Sequence, residues 1–289
     1  MTTDDRELRN AMLSAQQAGS DLNAISVTRE QYAKQELGIE IPVDAVPLPS
    51  AGKVYPPGTS LHNATAVEYR SMTARDEDIL MSRALLKKGT VITELLKSCI
   101  TTPGVDVLSL LSGDRNALMI AVRVSGYGQD YSPTFSCPKC EAKNELHIDL
   151  AELPIKPLAL EPEVPGTNSF PFKLPSSGKN VRFRFLTGRE EEEILANAEM
   201  RKKKGLTHDN LVTSRLLNCI IDVDNNNSRA YVSKFVQYMP AKDSLALREY
   251  MDTHEPGVNM NIDFTCESCG HYEEVSLPFG PTFFWPNAR

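Results

Sequence analysis

The sequence contains no apolar run approaching the roughly 18 residues that a membrane-spanning helix needs, so no part of it is expected to cross a bilayer. The usual catalytic loops are also missing: there is no Gly-x-Gly-x-x-Gly, no Walker loop, no His-Glu-x-x-His and no Gly-x-Ser-x-Gly. Five histidines are scattered at 62, 147, 208, 254 and 271, and no nucleophile–base constellation stands out. The chain is therefore read as not an enzyme. Aromatic residues make up only 7%, and basic charge is short, with 31 Lys and Arg against 38 Asp and Glu for a net charge of −7. Phosphate contacts dominate the affinity of nucleic-acid binders, which usually carry a basic face. The acidic balance speaks against that class. Met1-Thr-Thr-Asp-Asp-Arg6 is polar and acidic and is not expected to act as a secretory signal.

The chain does have length enough for a real core: 289 residues, 41% hydrophobic and 24% charged. One large domain or two small ones are both compatible with that size. Its most informative feature is a repeated pattern. Phe135-Ser-Cys137-Pro-Lys-Cys140 precedes a strand-like run, Glu145–Leu150, and Phe264-Thr-Cys266-Glu-Ser-Cys269 precedes another, Glu274–Leu277. A Cys-x-x-Cys turn aims two sulfurs at one point, and two such turns make a tetrahedral four-thiolate site. Cys137, Cys140, Cys266 and Cys269 are thus the candidate metal ligands. Four thiolates leave no open coordination position, which points to structural zinc rather than hydrolytic chemistry. An iron–sulfur cluster, two redox dithiols and reversible disulfides would use the same cysteines. The separation of the pairs exceeds that of a compact ribbon finger, so the site is expected to clasp the chain across an insert. His147 and His271 lie near the knuckles and are read as a strand-face and a turn residue. Cys99 and Cys219, in apolar helical patterns, are read as small buried hydrophobes.

Residues 1–60 are expected to form an extended N-terminal arm. It would carry weak helices near 4–18 and 28–36 and a linker, Ile41–Pro57, with prolines at 42, 47, 49, 56 and 57. Such an arm suits contact with a neighbouring subunit. A mainly helical region, 61–134, follows. Within it Ala66–Arg70 is a short strand, Thr73 opens a helix through Leu86, Gly89-Thr90 breaks and recaps, and Ser112-Gly-Asp starts a helix to about Val124. The four-cysteine module comprises 135–150 and 258–289, and 151–257 is the insert. Proline-rich 151–180 reads as a surface crossing. Val181–Leu186 alternates as a strand with Val181, Phe183 and Phe185 on one face. Thr187 caps a helix whose acids at 190–193 and bases near 201–204 complement the dipole on a solvated face. Leu211–Ile221 is a second helix, Asp222–Ser228 a polar turn, and helices near 229–238 and 241–253 follow, the latter capped by Ala241-Lys-Asp243. The fold class is α+β, mostly helical segments around a split zinc-ribbon-like four-cysteine β module.

Several words in this order carry a resemblance: Lys97-Ser-Cys-Ile100, Leu110-Leu-Ser-Gly-Asp-Arg115, Leu118–Arg123 and Ser125–Tyr131 precede the first cysteine pair. Ile220-Ile-Asp222, Phe235–Pro240, Asp243, the second pair and Phe283-Phe-Trp-Pro286 follow. Over roughly 70–289 the chain resembles the T4-type baseplate protein family of contractile-tailed phages, proteins associated with the baseplate hub. The arm at 1–60 lies outside the resemblance. It implies a non-enzymatic virion component, in hub or wedge, assembled in the host cytoplasm and working through contacts with other baseplate and tail proteins. An assembly chaperone absent from the mature virion, or a zinc-ribbon nucleic-acid-binding module, are the alternative readings. On this view Asp114 caps its helix, Arg115 and Arg123 lie on a solvated face or pair with carboxylates, and Phe283-Phe-Trp closes the ribbon's core or docks into a neighbour.

Overall fold

In a computed structural model, which describes residues 34–203, 210–277 and 281–285, the proline-rich stretch Ile41–Pro57 is not a free linker. Val43–Pro47 (β1) pairs antiparallel with Ala66–Arg70 (β2), placing Val46 opposite Val67. Prolines 42 and 47 sit at the strand ends, where a missing donor costs no interior ladder bond. Leu48, Val54 and Tyr55 between the later prolines are core residues. The expected extended linker is thereby corrected: its apolar residues bury, and its prolines shape the turns. The weak helix near 4–18 lies outside the described residues, as does most of that near 28–36, although 34–37 is helical.

The helical region follows largely as its breakers dictate. Ala74–Met81 (α1) starts after Thr73, whose N–H and hydroxyl both donate to Asp76, each at 2.8 Å. The helix does not run on to Leu86. Ser82 turns extended, and its hydroxyl accepts from Leu85 N–H at the start of Arg83–Lys88 (α2). Serine competes for backbone bonds in this way and so favours a cap over a helix interior. Gly89, at φ 72°, ends α2 before Val91–Cys99 (α3) begins. Ser112–Tyr127 (α4) is the central helix. Its residues Leu118 and Val122 are fully buried, and it packs against α3, β1 and β2.

After α4 the chain forms short antiparallel pieces. Asp130–Tyr131 (β3) pairs with Ile148–Asp149 (β6), and between them Thr134–Ser136 (β4) pairs with Lys143–Glu145 (β5). The strand expected over 145–150 is therefore two fragments. Ile155–Lys156 (β7) pairs later with Gly257–Val258. The proline-rich crossing is only partly superficial, because Phe170–Lys173 (β8), Asn180–Phe183 (β9) and Ile220–Val223 (β10) form a sheet in the order β10-β9-β8. Val181, Phe183 and Phe185 are all buried, as their alternation predicts. Gly188–Lys203 (α5) precedes Leu211–Cys219 (α6). That second helix stops short of Ile221, because the β-branched pair Ile220-Ile221 suits a pleated surface and continues as β10. Asp222, assigned above to a polar turn, sits buried in this strand with Arg182 2.5 Å away.

Arg229–Tyr238 (α7), Ala241–His254 (α8) and Gly257–Val258 (β11) lead to the hairpin Asn261–Thr265 (β12) and Tyr272–Ser276 (β13). The class is α+β, with helices, several small sheets and a four-cysteine cluster. Cys99 and Cys219 are fully buried in the main core, as expected of small hydrophobes.

Several polar residues, expected as helix caps, on solvated faces or (Arg115 and Arg123) alternatively paired with carboxylates, are internal ties. Asp114 does not cap α4. Its carboxylate accepts from the Ser50 N–H (2.9 Å), the Ser50 hydroxyl (2.5 Å) and the Tyr55 hydroxyl (2.5 Å). Arg115 is buried beside Thr93 (2.8 Å) and Glu192 (3.5 Å). Arg123 is buried and donates to the carbonyls of Phe283 (3.2 Å), Gly128 (2.7 Å) and Asp130 (3.2 Å). Glu190, in the acidic run of α5, is also buried; it accepts from Thr187 N–H at 2.9 Å and pairs with Arg184 at 3.1 Å. Asp243 likewise serves another element, accepting from the N–H groups of Ser176 (2.6 Å) and Ser177 (2.9 Å) beyond β8. Phe283 and Phe284 enter the main core, with Phe283 5.1 Å from Tyr131 ring to ring, instead of closing the cysteine module.

The Arg70–Asp76 pair gives this part of the fold an acid-sensitive joint. Burial alone would raise the Asp76 pKa, but hydrogen bonds from Arg70 (2.7 Å) and Ser98 (2.7 Å) outweigh it and hold the carboxyl below its usual value. A depressed native pKa stabilises above the unfolded value of about 4 and is lost as pH falls through the native one. Asp76→Asn is expected to cost about 3–5 kcal/mol near neutrality, since it breaks a buried ion pair with Arg70. Urea unfolding midpoints measured across pH 2–7 should also fall less steeply below pH 4 in the variant than in the parent.

Candidate metal centre

The two knuckles are built alike. Cys137 and Cys140 lie on the turn joining β4 to β5, and Cys266 and Cys269 on the turn joining β12 to β13. In the first, Cys137 N–H bonds Ala142 O (2.9 Å) and Glu141 N–H bonds Cys137 O (2.8 Å). In the second, Cys266 N–H bonds His271 O (2.8 Å) and Gly270 N–H bonds Cys266 O (2.9 Å). The residue after each second cysteine takes a left-handed conformation, Glu141 at φ 58° and Gly270 at φ 67°. Behind the turns Phe135 and Phe264 stand 6.4 Å apart, and Phe264, Cys137 and Cys266 form a small core flanked by Ala142, Leu146 and Val275.

These hairpins bring the four sulfurs together. Cys137 Sγ lies 3.7 Å from Cys269 Sγ, Cys140 Sγ lies 3.6 Å from Cys266 Sγ, and all four fall within 4.8 Å of one another. A tetrahedron with metal–sulfur bonds of about 2.3 Å has edges of about 3.8 Å, so the set matches one tetrahedral ion. None of the four is joined in a disulfide, whose sulfurs would approach to about 2.05 Å. Cys140 and Cys269 face solvent while Cys137 and Cys266 are buried, which leaves the site a route for an ion to enter.

The sulfurs share protons unequally. At Cys140 the Ala142 amide favours the thiolate, yet hydrogen bonds with the other three cysteines, aided by burial, push the thiol up to about 12. At Cys266 burial opposes ionisation, but the amides of Cys269 and Ser268 and the neighbouring thiols bring it down to about 6. A thiolate favoured at one corner of a sulfur cluster is a set-up that attracts a cation.

All four sequence-predicted cysteines therefore meet at one point. His147 and His271 are not among them: His147 Nδ1 faces the Ser132 hydroxyl at 3.0 Å, and His271 lies 3.7 Å from Glu273. Sequence reasoning missed Asn144. It is buried on β5, its Oδ1 accepts from Glu267 N–H of the other knuckle (2.9 Å), and its Nδ2 donates to Ala142 O (2.9 Å) and Cys266 Sγ (3.6 Å). A signal was present: where the repeat places Asn144 after one cysteine pair, it places Glu273 after the other.

The model of the family described as T4 bacteriophage base plate protein matches residues 45–285. The chain belongs to this family. The baseplate family match takes in both knuckles, α4 and the Phe283–Trp285 tail. It also begins at residue 45, not near 70, so 45–60 lies inside the family rather than in an arm outside it. This agrees with β1 and the buried stretch from Leu48 to Tyr55 being part of the body. No curated protein and no solved structure matches the chain.

The left-handed residue is a testable point of the knuckle. Nothing lies near a Cβ added at Gly270, so only its conformation penalises a side chain. Gly270→Ala is expected to lower stability by about 1–2 kcal/mol. Glu141→Gly should be neutral or stabilise by less than about 1 kcal/mol, since relief of the left-handed strain is offset by added freedom in the unfolded chain. Thermal unfolding of the two variants beside the parent, read for opposite or unequal shifts, checks the assignment.

Proposed function

We propose that the chain is a non-enzymatic structural component of a phage contractile-tail baseplate. In this reading it folds around one zinc ion held by Cys137, Cys140, Cys266 and Cys269, a split zinc ribbon whose halves bracket the insert 151–257. The family match over 45–285 carries the reading, since it spans the body and the cysteine module together. The sulfur spacing supports a single tetrahedral ion, and four thiolates leave it no open position for substrate. The net charge of −7 argues against nucleic acid as the partner. Other baseplate and tail proteins, in hub or wedge, are then the partners, and the assembled tail is the site of action.

The ion's work is mechanical. It would join two hairpins far apart in sequence, and structural zinc in small peptides contributes roughly 10–16 kcal/mol. Cys137→Ser and Cys266→Ser are expected to leave the chain insoluble or readily cut by protease. Metal analysis of the purified parent should give one zinc per chain and no visible colour. A well-folded, zinc-free serine variant that still assembles would contradict the clasp.

Mass spectrometry of purified intact tails tests the location. The chain is expected among the tail proteins. Its absence from mature particles, combined with a requirement for it during assembly, would replace the structural reading with that of an assembly chaperone.

A further inference from the structure

We propose that Asn144 is the positioning residue of the metal site, docking one knuckle on the other and setting the sulfur of Cys266. The inference rests on the reading of the four cysteines as a metal site. Both functions come from one buried amide. Glu267 N–H can only donate, so the atom 2.9 Å from it must be Oδ1, which leaves Nδ2 directed at Ala142 O and Cys266 Sγ. The oxygen thus reaches across from the β4–β5 hairpin to the turn of the β12–β13 hairpin. Among the described residues Asn144 is the side chain, other than the ligands themselves, whose hydrogen bonds join the two knuckles.

The nitrogen acts on charge. Four thiolates around a divalent cation leave an excess of two negative charges, and an N–H directed at a buried sulfur draws off part of it. Cys266 is the buried ligand of its pair, so it has less water than Cys269 to serve that purpose. The matching place in the second hairpin is Glu273, opposite Phe264 as Asn144 is opposite Phe135. A carboxylate has no donor to give, and Glu273 points to His271 instead. The repeat is therefore asymmetric where it matters, with one amide serving both turns. It follows that Asn144 holds the knuckles in register even before an ion is captured.

The test uses the full chain. Zinc content of the parent comes first: absence of zinc would overturn the metal reading itself. Zinc transfer to a colorimetric chelator is then timed for the parent, Asn144→Ala and Asn144→Asp, and each is reloaded with cobalt for its thiolate charge-transfer spectrum. Asn144→Asp retains the acceptor for Glu267 N–H and loses the donor to sulfur, so it reports should the alanine variant fail to fold. Zinc release about 10–100-fold faster is expected, with a shifted cobalt charge-transfer band while circular dichroism of the helices is unchanged. A zinc-loaded parent whose folded variants release zinc at the parental rate, with the parental cobalt spectrum, would overturn the role of Asn144 and leave the metal site standing.

Discussion

The helix Ser112–Tyr127 is held so closely at both ends that the rest of the chain must arrange itself around it. At the first turn a Cβ on Gly113 would stand 1.7 Å from the Pro256 carbonyl oxygen, so the helix and the β11 backbone are in direct contact. One residue later Asp114 is locked by Ser50 and Tyr55, and Tyr55 Oη in turn accepts from Leu111 N–H at 3.0 Å. At the last turn Arg123 gathers the carbonyls of Gly128, Asp130 and Phe283. A buried guanidinium is costly unless its donors are used. Here they face three carbonyls, one of them that of Gly128 at the helix C-terminus, where the backbone dipole also favours a cation. Removing either polar residue would strand buried partners, which makes these ties rigid rather than adjustable.

The cysteine module hangs from the two ends of that helix. Its first hairpin leaves through β3, whose Asp130 carbonyl is held by Arg123. Its second follows β11, which touches Gly113. The β7–β11 and β3–β6 pairings zip the connecting segments before the hairpins begin. The sulfurs therefore meet not by chance of two mobile turns but because a rigid body delivers both roots. This lowers the entropy lost on closing so long a loop, a cost that otherwise grows with loop length.

Elements with strong local signals were legible in the sequence. The cysteine repeat, the Gly89 stop, the alternating Val181, Phe183 and Phe185, and the helices after Ser228 and Pro240 all depend on neighbours a few residues away. What was not legible depends on partners far along the chain. Asp114 meets Ser50, Arg123 meets Phe283, and Asp243 meets Ser176. In each case the residue alone reads as a local helix cap or a surface charge, because ionised side chains are seldom fully buried unless paired. Glu190 and Arg115 failed to stand out for the same reason. The Ile41–Pro57 stretch misled differently, since proline frequency describes backbone stiffness and says nothing of which side chains between the prolines are apolar enough to bury.

The two hydrophobic clusters divide the labour of folding. The main core unites β1 and its following loop, the helices, the three-stranded sheet and the Phe283–Phe284 tail, a scale at which apolar burial suffices. Among the described residues, the module's own apolar core has Cys137, Phe264 and Cys266 fully buried. Isolated two-stranded hairpins are marginal in water, and two of them sharing so small an apolar centre gain little more. Their order must come from cross-links: the Asn144 amide between turns and, in the proposed reading, an ion among the sulfurs. A protein that works through rigid contacts, as proposed for this one, would gain from such an arrangement, because coordination bonds and hydrogen bonds have fixed directions. Apolar packing alone, in a cluster this small, would leave the two turns free to slide past one another.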